Sequence, residues 1–275
     1  MPPSFASSSL VHFSMIYDFD DAIFHQYTDL DSKFLNFFLS SKFKKIFNLD
    51  NTEIFSGNKY NQKEVLKMNP NIKTEIFPTV VNINNYVKRI KKNKNKHFTI
   101  VWIGSPSTSE YLEIVKDSLS RLGQITPVTL YVVGAPKKFD LSIDDVHIIS
   151  VKWSEENEQK ALSEFDVGIM PLYDEPWEKG KCAFKLIQYM ASFLPVVSSN
   201  VGMNAEIIHN RGNGFLASNS DDWFDSLYKI YHDHSIRKVM GNNGRKLIEK
   251  DFTIQYQHCF SWRGNDRVSY TNRTR

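Results

Sequence analysis

From Phe98 onward the chain alternates short apolar runs with longer amphipathic ones, and this limits the fold more than any other feature. The runs 98–103, 128–133, 146–150, 166–170, 195–199 and 214–217 are four to six residues long, with Gly, Pro or Ser at most of their ends. Apolar runs of that length read as strands buried on both faces. Between them, Tyr111, Leu112, Val115, Leu119 and Leu122 recur at helical spacing over 109–122. Residues 155–163 also read as a helix, and two further helices are expected over 220–233 and 235–250. Strands taken in turn with helices imply parallel strands joined by helical crossovers. The expected product is a doubly wound, Rossmann-like domain over 98–252, with ligands outside the carboxyl ends of its strands. Gly104-Ser105-Pro106, Pro171-Leu172-Tyr173 and residues 180–188 fall at those ends.

The upstream part repeats the pattern with fewer elements. Residues 12–17, 52–55 and 73–77 read as strands, and 31–47 and 59–68 as helices. Phe34, Leu35, Phe38, Leu39, Phe43 and Phe47 form one side of the first helix, and Asn69-Pro70-Asn71 breaks the second. A partial Rossmann-like domain over 13–82 is expected, after an irregular start over 1–12. Residues 83–97 read as a basic linker, because Lys88-Arg89-Ile90-Lys91-Lys92-Asn93-Lys94-Asn95-Lys96 cannot bury itself. Without aromatic residues interleaved after Tyr86, that run does not favour nucleic acid, whereas an acidic membrane surface would suit it. Residues 253–275 are expected to form an irregular tail.

Composition narrows the class. A net charge of +3, from 34 Lys and Arg against 31 Asp and Glu, is too small to argue for a nucleic-acid partner. Two cysteines imply no disulfide framework and fit a reducing compartment. No apolar run approaches the roughly 20 residues needed to span a bilayer. Residues 1–9 lack the basic segment and apolar core of a signal peptide. The expected location is cytoplasmic, with the inner membrane face as a peripheral contact.

The stretch Gly180-Lys181-Cys182-Ala183-Phe184-Lys185-Leu186-Ile187-Gln188-Tyr189-Met190-Ala191-Ser192 reads as a glycine turn and a three-turn helix, leading into the 195–199 strand. Cys182, Ala183, Leu186, Ile187, Met190, Ala191 and Leu194 form its apolar stripe, and Lys181, Lys185, Gln188 and Ser192 share the opposite face. A helix N-terminus already carries partial positive charge on unpaired N–H groups, so two lysines there point to an anion. The expected site is a phosphate cradle; solvated surface lysines are the alternative. Asp18, Asp20 and Asp21 follow the first strand. They read as an acceptor-side base, as an Asp-x-Asp phosphotransfer motif using Mg²⁺, or as turn and capping residues. Cys182 has no placed His or Asp partner and reads as a small packed residue. Trp177 reads equally as a sugar platform or as rim packing.

Residues 180–199, with Asn200-Val201-Gly202-Met203-Asn204-Ala205-Glu206 and Gly212-Asn213-Gly214-Phe215-Leu216-Ala217, resemble the donor half of group 1 (family 4) glycosyltransferases of the GT-B fold. Ile103-Gly104-Ser105-Pro106-Ser107-Thr108 is similar to the first-strand loop of that half, and residues 16–22 and 76–82 match one branch. The resemblance runs over roughly residues 13–255. It implies an α/β, GT-B-like fold with two Rossmann-like domains facing across a cleft, the N-terminal one incomplete. It implies retaining transfer of a sugar from a nucleotide-sugar donor to a glycan or lipid-linked acceptor. It implies no metal for the chemistry and no cofactor beyond the nucleotide sugar itself. Gly104 and Ser105 would let the backbone approach the phosphates. Lys181 and Lys185 would neutralise the diphosphate, Cys182, Ala183 and Phe184 would supply N–H groups, and Gln188 would face the ribose.

The chain departs from that pattern at named positions. Gly180 stands where the family has the first of two spaced glutamates, with Asp174, Glu175 or Glu178 as substitutes, and Gln188 stands for the second. Phe193 replaces a glycine after the helix, where a left-handed backbone is expected. Lys137 and Lys138 are candidates for the basic pair that relatives carry after the first loop. Only about a dozen residues precede the Asp18 strand, so a truncated acceptor domain is expected. That leaves a second function open, a non-catalytic nucleotide-sugar-binding remnant or a partner-dependent subunit, and a third, phosphotransfer through Asp18 and Asp20.

Overall fold

The computed structural model describes residues 15–25, 43–49, 51–86, 97–136, 139–154, 162, 165–209 and 212–254. Most of the expected 31–47 helix, the basic run 88–96, Lys137, Lys138, nearly all of 155–163 and the end of the tail lie outside the described residues.

The first sheet has three parallel strands in sequence order, β1 (Met15–Phe19), β2 (Thr52–Ser56) and, after helix α1 (Lys59–Met68), β3 (Lys73–Ile76). Asn58 caps α1, its side-chain oxygen accepting from the Asn61 N–H at 2.8 Å. Phe19, Phe47, Ile54, Val65 and Ile72 pack into one small core on this sheet. The chain then crosses over. The Val81 N–H donates to the Phe252 carbonyl at 3.0 Å, in a parallel bridge between Val81 and Thr253.

The second sheet has six strands. The chain runs through β4 (Phe98–Ile103), a 3₁₀ helix (Pro106–Val115), α2 (Lys116–Gly123), β5 (Val128–Val133), β6 (Val146–Val151) and β7 (Val167–Met170). It continues through α3 (Pro176–Lys179), α4 (Phe184–Ala191), β8 (Val196–Ser199), α5 (Gly202–Ile207), β9 (Gly214–Ala217), α6 (Ser220–His232) and α7 (His234–Asp251). The strand order is β6-β5-β4-β7-β8-β9, and every pair is parallel. From β4 the chain winds outward to β6, then returns to the other side of β4 as β7. The direction of winding therefore reverses between β4 and β7. All six strands agree with the apolar runs of the sequence.

Alternate residues of β4 serve two cores. Val101 and Ile103 pack with Leu186, Ile187 and Met190 of α4, while Ile100 and Trp102 pack with Leu119, Leu122, Trp223 and Leu227. Burying a large apolar side chain contributes about 1.5–3 kcal/mol, so these two layers hold the sheet. The helix expected over 109–122 buries its five expected residues, but its first part is the tighter 3₁₀ form common at helix N-termini.

Two expectations for α4 meet different outcomes. Phe193 does take the left-handed conformation, with φ 60°. Gln188, expected to face the ribose, is buried, and so is Ser192. Helix α7 and Tyr86 cover them. Arg245 of α7 donates to the carbonyls of Tyr86 and Ala191, each at 2.7 Å, and lies 4.9 Å above the Phe193 ring. Gln188 donates to the Tyr86 hydroxyl at 3.5 Å, and the Ser192 hydroxyl donates to the Gln188 carbonyl at 3.1 Å. The helix has two packed sides because the segment from 81 to 86 returns onto it.

Candidate functional site

The site is built where the winding reverses. Strands β4 and β7 pair only at Ile100–Val167 and Val101–Gly168. Beyond these pairs, towards the carboxyl ends, Tyr189 from α4 joins the two strands. Its hydroxyl accepts from the Ile103 N–H at 2.9 Å and donates to the Ile169 carbonyl at 3.4 Å. Gly168 is needed for this entry, because a Cβ there would lie 2.6 Å from the Tyr189 ring. The sheet is thus opened at its switch point by a buried side chain.

One rim of the opening follows β4. A Cβ on Gly104 would fall 2.0 Å from the Trp102 ring, and a Cβ on Gly134, whose φ is 86°, would fall 2.1 Å from the Gly104 carbonyl oxygen. The two glycines let the loops after β4 and β5 touch backbone to backbone. Ser105 is the N-cap residue of the 3₁₀ helix, and its N–H donates to Thr108 Oγ1 at 3.1 Å. The Lys185 ammonium stands 5.9 Å over the Trp102 ring. Gly104 and Lys185, distant in sequence, therefore meet at one indole.

The other rim follows β7. The Leu172 N–H donates to Ser199 Oγ at 2.9 Å, which fixes the Pro171-Leu172-Tyr173 loop. Tyr173 is exposed and meets Tyr111 edge to face, with ring centroids 5.4 Å apart. Tyr111 donates its hydroxyl to the Glu178 carboxylate, and both residues are buried. Burial first, and then the hydrogen bond to Glu178, pushes the Tyr111 phenol above its ordinary range. Of the three acidic substitutes, only Glu178 is buried; Asp174 and Glu175 are exposed, and Asp174 pairs with Lys179 at 3.1 Å.

The turn before α4 differs from expectation. The helix starts at Phe184 because Ala183 is left-handed, with φ 53°, and no side chain caps it. Lys181 consequently precedes the helix: its N–H donates to the Glu178 carbonyl at 3.1 Å, and its ammonium lies 4.8 Å over Trp177. The two lysines do not share the first helical turn; only Lys185 belongs to it. Gly180 is packed against the first sheet, and a Cβ there would fall 2.1 Å from the Ala22 Cβ. A glutamate cannot occupy that position in this arrangement.

Cys182 faces the same seam, donating to the Asp20 carbonyl, with Asn58 Nδ2 at 3.5 Å from its sulfur. Burial, reinforced by the negative charges of Asp20 and Asp21, pushes the thiol up and keeps it protonated. It is a packed residue, as its lack of partners implied. Asp21 lies in a turn, its carbonyl accepting from Ile23 at 2.8 Å, while Asp18 belongs to β1. The structure thus brings Gly104 and Lys185 to the Trp102 ring, with Ser105 and Phe184 next to them in the chain. It sets Lys181 over Trp177, turns the Cys182 side chain to Asp20 and Asn58, and buries Gln188 against Tyr86. Sequence reasoning missed Tyr111, Tyr189, Asn58 and Asn61. Among these, only the strand-Gly-Asn pattern at Ser56-Gly57-Asn58 carried a readable signal, that of a helix cap.

Among the described residues, no group of three or more His, Cys, Asp or Glu could hold a metal ion. No helix among them is long and apolar enough to cross a membrane.

A strand-ended crevice with a glycine-lined loop and a lysine at a helix start defines a class of α/β proteins that bind anionic ligands. The family description "Glycosyl transferases group 1" matches residues 85–233, more than half of the 275, and the chain belongs to that family. The capsular polysaccharide biosynthesis glycosyltransferase CapM of Staphylococcus aureus is 31% identical over 71 residues, spanning 25% of this chain and 19% of that protein. Sucrose-phosphate synthase from Thermosynechococcus elongatus superposes with TM-score 0.68 at 16% identity, over 92% of this chain and 68% of that one. Anabaena HepE, solved with UDP and glucose, superposes with TM-score 0.68 at 14% identity, over 90% of this chain and 70% of that one. At these identities the likeness establishes the fold, that of GT-B glycosyltransferases.

Proposed function

We propose that this chain transfers a sugar from a nucleotide-sugar donor to a glycan or lipid-linked acceptor, with retention at the anomeric carbon. The observation that carries the reading is the convergence of Gly104 and Lys185 around Trp102 at the switch point. Departure of a nucleoside diphosphate develops negative charge, which a cation and preorganised N–H groups stabilise without reorganising. Lys185 meets that charge, with the N–H groups at Ala183 and Phe184, at the uncapped start of α4, beside it. Lys181, held over Trp177, approaches from the rim. Gly104 and Ser105 admit the phosphates to the backbone. Glu178, oriented by Tyr111, is the carboxylate that takes the place of the absent glutamate at Gly180. Asp20 and Asp21 flank the seam from the first sheet and serve the acceptor side. HepE, solved with UDP and glucose, supports a nucleotide-sugar donor. A cytoplasmic position with peripheral membrane contact fits a lipid-linked acceptor.

The test is release of nucleoside diphosphate from a panel of nucleotide sugars, with and without glycan and lipid-linked acceptors, and the anomeric outcome by NMR. Acceptor-dependent release with retained configuration is expected. A second reading, nucleotide-sugar binding without transfer, is favoured by one observation: neither position of the spaced glutamate pair carries a carboxylate, Gly180 being filled by Ala22 and Gln188 buried against Tyr86. Saturable binding with no release from any donor would select it.

A further inference from the structure

The turn at residues 180–182, which precedes α4, is held from within by the Lys181 N–H donating to the Glu178 carbonyl and from across the seam by α1 and its cap residue. Asn58 uses its side-chain oxygen to cap α1, which leaves its amide to donate. It donates to the Gly180 carbonyl at 2.9 Å and the Lys181 carbonyl at 3.2 Å. Asn61, one turn on, donates to the same Gly180 carbonyl at 2.9 Å. Asn58 is 3% exposed and Asn61 0%, so water does not compete for these bonds. Gly57 completes the grip, because any side chain there would collide with the Cys182 sulfur. The next residue, Ala183, is left-handed, a conformation that costs a non-glycine residue about 1–2 kcal/mol. Strain of this kind persists only where neighbouring contacts over-determine it.

We propose that Asn58 and Asn61 are positioning residues of the donor site. They hold the 180–182 turn so that Ala183 stays left-handed and α4 presents Lys185 to the opening between β4 and β7. The proposal rests on the donor reading above and adds the dependence of that site on α1 and its cap. Neither asparagine touches the ligand; both act through the backbone of Gly180 and Lys181. Loosening the two amides lets Ala183 relax to the right-handed region and turns the helix start away from the diphosphate.

The experiment uses the full chain and titrates UDP, GDP and ADP by calorimetry between pH 5 and 9. The proteins are wild type, Asn58→Asp, Asn58→Ser and Asn61→Asp, each checked for folding by circular dichroism. Asp and Ser both keep the α1 cap, so α1 remains formed, but neither can donate to Gly180 as an amide does. The expected result is a loss of about tenfold or more in diphosphate affinity for all three variants at high pH. Relative to wild type, the two Asp variants recover affinity as pH falls and the buried carboxyl protonates and donates again, whereas Asn58→Ser does not. Circular dichroism at each pH separates this recovery from relief of a buried charge's cost to folding, and the recovery is read only where the variant's folded signal is unchanged. Folded variants that bind as wild type at every pH would overturn the proposal. Absence of binding by the wild type itself would overturn the donor reading, and this proposal with it.

Discussion

The hydroxyl of Tyr189 accepts a hydrogen bond from the backbone N–H of Ile103 at 2.9 Å, in the opening between β4 and β7. Ile103 is the last residue of β4, and the loop of Gly104 and Ser105 begins directly after it. The relationship ties the level of the proposed phosphate loop to the helix that carries Lys185. Removing the hydroxyl leaves a buried N–H without a partner, which costs about 1–3 kcal/mol. Tyr189→Phe is therefore expected to lower stability by that amount in urea unfolding, with an unchanged m-value. An unchanged midpoint would show that the N–H finds another partner.

Tyr111 predicts a pH dependence. Its folded-state phenol lies above the ordinary value near 10, because burial and the Glu178 carboxylate both disfavour the phenolate. A raised value means that stability is complete below about pH 10 and is lost as pH climbs from there towards the folded-state value. Tyr111→Phe removes this contribution. Thermal melts should show wild type losing stability above pH 10 more steeply than the variant. At neutral pH the variant should be the less stable of the two, since Glu178 loses its donor.

Gly241 offers a test in which the usual sign reverses. Alanine in a helix interior normally exceeds glycine by about 1 kcal/mol. Here a Cβ on Gly241 would fall 2.1 Å from the Phe193 carbonyl oxygen, and that oxygen is backbone that cannot step aside. Gly241→Ala should therefore destabilise, by about 1–3 kcal/mol of overpacking strain. It should also loosen Arg245 from Ala191 and Tyr86. Equilibrium unfolding measures the first effect, and hydrogen exchange at the last turn of α4 measures the second.

Gly180 tests the seam between the sheets. Its Cβ space is filled by the Ala22 Cβ and by Asn61. Gly180→Ala should force the two apart and destabilise the protein by about 1–3 kcal/mol, and Gly180→Glu should do so more severely. If Gly180→Glu instead raised transfer activity, the seam would have to open readily to admit a carboxylate there.

What was legible in the sequence follows the range of the interactions. Strands such as 98–103 are apolar throughout and bounded by turn residues, so their identity is local information. The left-handed Phe193 was legible too, because a helix C-terminus calls for that conformation whatever residue supplies it. Ala183 was not, since alanine carries no local signal for φ 53°, and the turn just before it is held by Asn58 and Asn61, remote in sequence. The burial of Gln188 and Ser192 on α4 was not legible for the same reason. Nothing in the spacing of Lys185, Gln188 and Ser192 tells that Tyr86 and α7 pack over the last two. Glu178 stood among three equivalent acids, and only Tyr111 from another crossover distinguishes it.

The central claim is that the opening between β4 and β7 holds a nucleoside diphosphate through Lys185. Calorimetric titration of the full chain with UDP, GDP and ADP, comparing wild type with Lys185→Ala, tests it most directly. A charged hydrogen bond of this kind contributes about 1.5–3 kcal/mol. Saturable wild-type binding of at least one diphosphate is predicted, weakened about tenfold or more in Lys185→Ala. No saturable binding of any of the three, or equal affinity in the two proteins, would contradict it.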